Sequence, residues 1–185
     1  MKPRPFEQLS HLGYEVGFII NHHWWRWFTI WFTSAFWVVC SYRVDRFCYL
    51  IFGNKWKIIR LAISPLLFLT RPWRGNCEIH YEAEIGPGLV VLHPTLGVVV
   101  SKYTIAGHNL ILTGGNCIGA SKRLNLGDIK IGDNVDLGAN AIIIGPVQIG
   151  NNVRIGAGAV VVNNAESDGV LVGVPAKLVN RPPSE

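Results

Sequence analysis

Aliphatic residues recur at every sixth position in the C-terminal half of the chain. The main series is Ile131, Leu137, Ile143, Ile149, Ile155 and Val161, and smaller apolar residues follow its members by four positions, at Val135, Ala141, Val147, Val153 and Ala159. A period of six is neither the period of a helix nor that of a single strand, but it arises when short strands wind into a solenoid with one hexad on each face. The pattern therefore predicts a mainly β, parallel β-helix whose aliphatic residues stack in a column inside a narrow prism.

The repeat is interrupted at two places. Upstream, residues in phase form two runs, which are Ile79, Ile85 and Val91, then Val100, Ala106, Leu112 and Ile118. The step from Val91 to Val100 exceeds one hexad by three residues, and the step from Ile118 to Ile131 exceeds two hexads by one. Residues that do not fit the period must leave the prism, so we predict protruding segments near 94–98 and 119–130. Sites are commonly built on such loops.

Composition divides the chain near residue 75. All seven tryptophans precede residue 75, whereas 17 of the 20 glycines lie at or after Gly75. Residues 1–75 carry ten basic and three acidic side chains, and residues 76–185 carry seven and nine. We therefore expect a basic, Trp-rich helical region over 1–75 and the β-helix with its closing segment over 76–185. Because the solenoid is acidic, nucleic acid is not an expected partner.

The N-terminal region favours helices near a membrane. It contains sixteen consecutive uncharged residues, WFTIWFTSAFWVVCSY, which is short of the roughly 20 that a spanning helix needs. Tryptophan and arginine beside apolar faces suit an anionic membrane surface. Two interpretations of 20–70 stay open: helices that lie on or dip into a membrane, and a helical oligomer core around the solenoid. A spanning helix is a lesser alternative.

Two absences in the sequence favour a cytoplasmic protein. The first twenty residues lack the pattern of a signal peptide. The four cysteines, Cys40, Cys48, Cys77 and Cys117, form no CxxC pair, as expected of reduced thiols.

Four stretches resemble the serine acetyltransferase branch of the hexapeptide-repeat acyltransferases. They are CEIHYEAEIGPGLVVLH, AGHNLILTGGNCIGAS, KIGDNVDLGANAIIIGPVQIGNNVRIGAGAVV and VLVGVPAKLV, within residues 77–180. The resemblance implies a left-handed β-helix, a homotrimer and acetyl-CoA as co-substrate, with no metal. The basic, aromatic N-terminal region is more similar to the shorter relatives that acetylate sugars in capsular, exopolysaccharide and lipopolysaccharide assembly.

One histidine is a candidate general base. Acetyl transfer to a hydroxyl needs a base near neutral pH, for which histidine is best suited. His93 immediately precedes the first break in the repeat, so its side chain is expected at the edge of a protrusion. Glu78 lies fifteen residues earlier and can approach from an adjacent coil to orient the imidazole. In the family, a carboxylate and a histidine at this spacing form the catalytic dyad, with Asp in place of Glu78.

The resemblance also implies a path for acetyl-CoA. The pantetheine arm of the family runs along a groove between subunits and meets the backbone at small residues. The matching positions are Gly119 and Ala120 near the thioester, then Ala139 and Ala157, with Lys177 placed to meet a CoA phosphate. Each small residue also fits a tight corner of the solenoid.

The departures from serine acetyltransferases concern the acceptor. Leu92 replaces the Asp that precedes the catalytic histidine, and Gly127 and Asp128 replace an Arg-His pair that holds the amino-acid carboxylate. Asp128 could instead bind a sugar hydroxyl or assist His93, or it could form a turn. We therefore expect O-acetylation of a sugar or lipid-linked saccharide for bacterial surface polysaccharide, on the cytoplasmic face of the inner membrane.

Three other functions are alternatives to this one. They are serine O-acetylation, a non-catalytic β-helix scaffold, and a zinc enzyme of the γ-carbonic anhydrase type. The zinc enzyme is disfavoured because His80, His93 and His108 lack its spacing.

Overall fold

The computed structural model describes residues 4–20, 25–120 and 124–179, and its C-terminal part is a parallel β-helix. Sheet A contains β1 (Cys77–Ile79), β4 (Val98–Val100), β7 (Asn116–Ala120), β10 (Ile142–Gly145) and β13 (Val160–Val161). Sheet B contains β2 (Glu84–Ile85), β5 (Thr104–Ala106), β8 (Ile129–Ile131) and β11 (Val147–Ile149). Sheet C contains β3 (Val90–Val91), β6 (Ile111–Leu112), β9 (Asp136–Leu137), β12 (Arg154–Ile155), β14 (Val170–Val172) and the antiparallel β15 (Lys177–Val179). The parallel β-helix is confirmed, and its left hand stays a prediction.

The two hexad series form the core of the prism. Residues of the main series, Ile131 through Val161, are at most 4% exposed. Residues of the smaller series, Val135 through Ala159, are at most 1% exposed. The six-residue spacing therefore predicted the interior correctly, because each strand turns the same residue of its hexad inward.

Both interruptions of the repeat leave the coil as expected, but the second is shorter than predicted. The first is a single 3₁₀ turn over Pro94–Leu96. At the second, β7 extends to Ala120 and β8 begins at Ile129, and the described residues between them, 124–128, form neither helix nor strand. Residues 121–123 of the predicted protrusion lie outside the described residues.

The N-terminal region is helical. Its helices are α1 (Pro5–Ile20), α2 (Arg26–Thr29), α3 (Ser34–Phe52), α4 (Lys55–Ala62), α5 (Ser64–Leu69) and α6 (Arg71–Arg74), with a 3₁₀ turn at Ile30–Phe32. Within the described ranges, no helix is long and apolar enough to cross a membrane.

Helix α3 packs on the first coil of the β-helix, which neither interpretation of 20–70 had foreseen. Val38, Val39 and Tyr42 belong to the same apolar cluster as the interior of the prism. The Tyr42 hydroxyl donates to Ala83 O (2.9 Å) and accepts from Ile85 N (3.2 Å). The first coil has no preceding strand to pair with, so α3 satisfies backbone groups that would otherwise lack partners.

Candidate functional site

His93 lies where the chain leaves sheet C. Its N–H donates to Thr113 O (2.9 Å), and its carbonyl accepts from Leu96 N (3.1 Å) at the start of the 3₁₀ turn. The side chain is exposed. The structure thus fixes the backbone of the predicted base from both sides and leaves its imidazole open to a substrate, at the edge of a protrusion as expected.

Small residues stack beneath His93 at the corner between sheets C and A. The pairings Val91↔Leu112, Leu112↔Leu137 and Leu137↔Ile155 place the residues two positions later in one column. That column is His93, Gly114, Ala139 and Ala157, and we call it the histidine corner. Two of the predicted cofactor-binding residues therefore lie in line with the predicted base.

Gly114 has a special role in this corner. Its φ is +135°, and a Cβ built on it would lie 2.5 Å from the carbonyl oxygen of His93. Both facts disfavour any other residue at this position.

Glu78 and His93 lie on segments that touch. Glu78 is exposed on β1 and pairs with Val99 in sheet A. The Cys77 thiol donates to Pro94 O at 3.3 Å, so the residue before Glu78 contacts the residue after His93. The two described side chains form no hydrogen bond or ion pair with each other. In enzymes without substrate, catalytic hydrogen bonds are often long, and this geometry leaves the dyad a prediction.

The remaining cofactor candidates lie on sheets A and C. Gly119 and Ala120 end β7 beside Ile144 and Gly145, at the edge of sheet A opposite the histidine corner. Lys177 is exposed on β15 and pairs with Val172, at the end of the corner farthest from His93. Within a single chain, the four small residues therefore lie along opposite edges of sheet A. Ala139 and Ala157 are at the histidine corner, and Gly119 and Ala120 are at the other edge.

Asp128 stabilises its own loop. Its carboxylate accepts from Asn125 N (2.7 Å), and its carbonyl accepts from Val147 N (3.0 Å). Of the three roles left open for this residue, the observed contacts are those of a turn former.

Asn116 supports the histidine corner and was not predicted from the sequence. It is 1% exposed, accepts from Gly114 N (2.9 Å) and donates to Gly138 O (2.8 Å). These bonds hold two successive coils of the corner together. A signal existed, because Asn116 follows Leu112 by four positions and so puts an amide where the smaller apolar series is expected.

A second unforeseen feature is a cavity of about 910 Å³ between the helices and the first coil. Its walls come from α3, α4, α5, α6 and residues 75–79, and its charged lining is Asp45, Arg60, Arg71, Arg74 and Glu78. We call it the arginine pocket. In the sequence, only the excess of basic over acidic residues in 1–75 indicated a pocket of this kind.

One ion pair is built into the arginine pocket. The Arg60 Nε donates to Asp45 Oδ2 at 3.3 Å. Burial raises the pKa of the Asp45 carboxyl, while the nearby Arg60 and Arg74 guanidinium groups act to lower it. Among the described residues, no three His, Cys, Asp or Glu side chains are grouped as a metal site would require.

Comparison with known proteins agrees with this geometry. Residues 128–163 match the model of the bacterial transferase hexapeptide, six repeats. WcaB of Escherichia coli K12, named provisionally as a colanic acid biosynthesis acetyltransferase, is 32% identical over 144 residues, which is 76% of this chain and 88% of WcaB. The chain belongs to the bacterial hexapeptide-repeat transferases. Since WcaB and a serine acetyltransferase of Synechocystis both carry acetyltransferase names, the chain is an acyltransferase rather than a scaffold.

Other members of the family are serine acetyltransferases. The enzyme of Synechocystis is 40% identical over 132 residues, which is 70% of this chain but about half (52%) of that protein. The crystal structure of Neisseria gonorrhoeae serine acetyltransferase superimposes with a TM-score of 0.75 at 29% identity, covering 95% of this chain and 66% of that one. This hexapeptide-repeat transferase thus shares its fold, including the N-terminal helices, with enzymes that have a different named acceptor.

Proposed function

We propose that this transferase moves an acetyl group from acetyl-CoA to a sugar hydroxyl during assembly of a bacterial surface polysaccharide. The observation that carries the proposal is His93, an exposed imidazole at the head of a corner lined by Gly114, Ala139 and Ala157. The name of the E. coli relative, colanic acid biosynthesis acetyltransferase, supports a saccharide acceptor.

The chemistry requires one proton transfer in each direction. His93 takes the proton of the acceptor hydroxyl as its oxygen attacks the thioester carbonyl, and a tetrahedral oxyanion forms. Collapse of that intermediate breaks the C–S bond, and the imidazolium returns its proton to the departing CoA sulfur. Glu78 stabilises the imidazolium, and a backbone N–H near Gly119 stabilises the oxyanion, an effect typically worth ~3 kcal/mol. No step requires a metal, so we expect activity to survive chelation.

Acetyl-CoA binding is best explained by a trimer. The pantetheine arm would follow the histidine corner past Ala139 and Ala157 toward Lys177, whose ammonium would meet a CoA phosphate. Gly119 and Ala120 lie across sheet A from this path, so in the proposed trimer they would line the arm from a neighbouring subunit. Light scattering should then report a mass near three times the 20.5 kDa chain.

The proposed cellular position is the cytoplasmic face of the inner membrane. Residues 55–74, which form α4–α6, contain five basic and no acidic side chains. The same helices expose large apolar residues, including Ile58, Leu61 and Leu66. Exposed apolar and basic groups on short helices suit an anionic membrane surface, where acetyl-CoA from the cytoplasm would meet a membrane-bound acceptor.

Serine is the second candidate acceptor, favoured by the Synechocystis and Neisseria relatives. A free amino acid needs a cation for its carboxylate and an anion for its ammonium. Leu92 is uncharged, and the Asp128 carboxylate is engaged by Asn125. These positions favour a sugar over serine.

The deciding experiment measures CoA release by wild type and His93→Ala with serine and with free, nucleotide-linked and lipid-linked sugars. We expect release with a sugar, a loss of at least a hundredfold in the variant, and none with serine. Release with serine alone would return the enzyme to amino-acid metabolism. Equal rates in both proteins would remove His93 from the mechanism.

A further inference from the structure

We infer that the arginine pocket binds the phosphate of a glycosyl phosphate acceptor, that is, a sugar carried on a nucleotide or lipid diphosphate. This inference rests on the proposed function and specifies its acceptor class. The cavity of about 910 Å³ is within the usual range for ligand sites, roughly 300–1,000 Å³.

The charges of the pocket favour an anion. Asp45 is paired with Arg60, which leaves two guanidinium groups, Arg71 and Arg74, and one carboxylate, Glu78. Neither Arg71 nor Arg74 forms an ion pair with a described residue. The net charge of the five lining groups is +1 when all are ionised, and the paired Asp45 concentrates the positive excess at α6.

Arg74 points to a missing partner. Its Nε is buried and has no hydrogen-bond acceptor in the described part of the chain. A buried donor without a partner costs about 1–3 kcal/mol, more for a charged group, so a small rotation of the Arg74 guanidinium group toward an anion in the pocket that it lines would be favourable. Arg71 lies close by on the same short helix, with its guanidinium 5.3 Å from the ring centre of Phe68. A planar guanidinium group can donate two parallel hydrogen bonds to two oxygens of a phosphate.

The pocket adjoins the proposed catalytic residues. Its wall over residues 75–79 includes Glu78, and Cys77 in that wall contacts Pro94, the residue after His93. A Cβ on Gly75 would lie 3.0 Å from the same Pro94 oxygen. A phosphate held by α6 would therefore place its attached sugar along the wall that leads to His93.

A diphosphate fits this arrangement better than serine does. Serine carries one carboxylate and fills a small part of the cavity, whereas two unpaired guanidinium groups can bind the two charges of a diphosphate. Two exposed apolar residues that line the pocket, Phe68 and Leu69, allow the diphosphate to come from a lipid carrier as well as from a nucleotide.

The test begins with inorganic pyrophosphate, titrated calorimetrically into the 185-residue chain saturated with CoA at constant ionic strength. The variants are Arg71→Gln and Arg74→Gln, with Arg154→Gln, an exposed arginine on sheet C, as the matched control. We expect each pocket variant to bind pyrophosphate at least tenfold more weakly, in keeping with one lost charged hydrogen bond, and the control to bind like wild type. Arg71 is exposed, so its variant should fold normally even if Arg74→Gln proves unstable.

Kinetics then connect the site to catalysis and to a source of phosphate. Nucleotide-diphosphate sugars in solution are compared with polyprenyl-diphosphate sugars in nanodiscs, and each with the same sugar lacking phosphate. The pocket variants should raise the KM of the phosphate-linked acceptor at least tenfold and leave the KM of acetyl-CoA unchanged. The acceptor class with the larger effect identifies the carrier.

The outcomes separate this inference from the proposed function. If wild type acetylates phosphate-free sugars normally and pyrophosphate does not bind, only the inference is overturned. If no sugar of either kind is acetylated by wild type, the proposed function fails. A raised KM for acetyl-CoA in the pocket variants would overturn the phosphate assignment. Displacement of bound pyrophosphate by serine would overturn it as well.

Discussion

Gly114 determines where the backbone of His93 can lie. The His93 carbonyl would lie 2.5 Å from any Cβ at residue 114, and the φ of +135° is itself outside the range that L-residues prefer. The position of the proposed base thus depends on a residue one coil away that carries no functional group. Asn116 fixes this glycine through its own side chain.

Replacing Gly114 with alanine should displace His93. We expect kcat/KM to fall at least tenfold and the free energy of unfolding to fall by about 1–3 kcal/mol, since backbone strain and a clash add together. The matched control is Gly53→Ala, at φ +55° with no atom within 4 Å of the added Cβ. That variant should lose some stability and keep its kcat. Full activity in Gly114→Ala would show that the corner tolerates movement of His93.

The surroundings of His80 predict that stability depends on pH. Burial lowers the pKa of His80 below its ordinary value, and its Nδ1 accepts from Glu82 N at 3.1 Å, which requires the unprotonated nitrogen. The folded state therefore binds fewer protons than the unfolded state. This contribution is present above pH 6.5 and is lost as pH falls below that value through the lowered pKa.

Denaturant unfolding at pH 7.5 and pH 5.5 tests this effect in wild type and His80→Asn. The free energy of unfolding should decrease toward pH 5.5 in wild type, and the decrease should be smaller in the variant, whose amide oxygen can accept the same bond at both pH values. His11, whose pKa is also lowered by burial, contributes equally to both proteins. An identical decrease in the two proteins would assign the pH dependence to other groups.

At the scale of elements, helices α1 and α3 act as the missing coil at the start of the β-helix. Arg43 is fully buried and forms a two-point ion pair with Glu15, while its other N–H groups donate to Ile85 O (2.7 Å) and Gly86 O (2.6 Å). Glu15 in turn accepts from Leu89 N at 3.0 Å. Side chains thus supply the bonds that a preceding strand would supply, and the two helices cover the sheet edges at this end.

Arg43→Met should remove several of these bonds at once. Because Glu15 would remain buried without its partner, we expect the free energy of unfolding to fall by about 3–5 kcal/mol. The double variant Glu15→Gln/Arg43→Met should recover part of that loss.

Val44→Ala, at an exposed position of the same helix, serves as the control and should change the free energy of unfolding by less than about 0.5 kcal/mol. Thermal and urea unfolding give the comparison, and a loss in Arg43→Met no larger than the control's would contradict this role of α3.

Local repetition decides which of these elements can be predicted from the sequence. Positions such as Leu137 and Ile143 could be predicted because every coil repeats one local requirement, an inward apolar side chain. The contacts of Arg43 could not, because Glu15 lies 28 residues away from it in the chain and Ile85 lies 42 away, with no period connecting them. His93 could be predicted because the six-residue repeat is interrupted directly after it. The arginine pocket was not, since it forms only where α6 meets the first coil.

At the scale of the whole molecule, charge and apolar surface are concentrated at one end. The helices α4–α6 carry Lys55, Lys57, Arg60, Arg71 and Arg74, and they expose Leu61 (75%) and Leu66 (64%). Buried leucine contributes about 1.5–3 kcal/mol, and a cation near an anionic surface about 1 kcal/mol. In the proposed membrane attachment these groups would hold the protein on an anionic bilayer without a spanning helix, and they would bring the arginine pocket to the lipid surface.

This arrangement predicts binding to anionic vesicles that depends on both lipid charge and leucine. Wild type should sediment with vesicles of phosphatidylglycerol and phosphatidylcholine, more weakly with phosphatidylcholine alone, and less at high salt. Leu61→Ser/Leu66→Ser should reduce the partition coefficient at least tenfold, because two exposed side chains no longer enter the interface.

The controls separate membrane binding from catalysis and from oligomer formation. Neither residue lines the arginine pocket, so acetylation of a soluble acceptor should be unchanged. Leu178→Ser, at an exposed position of β15 at the other end of the β-helix, should bind vesicles like wild type. If the double variant instead lowers the mass measured by light scattering and leaves vesicle binding intact, these leucines form an oligomer contact, and the membrane is not their partner.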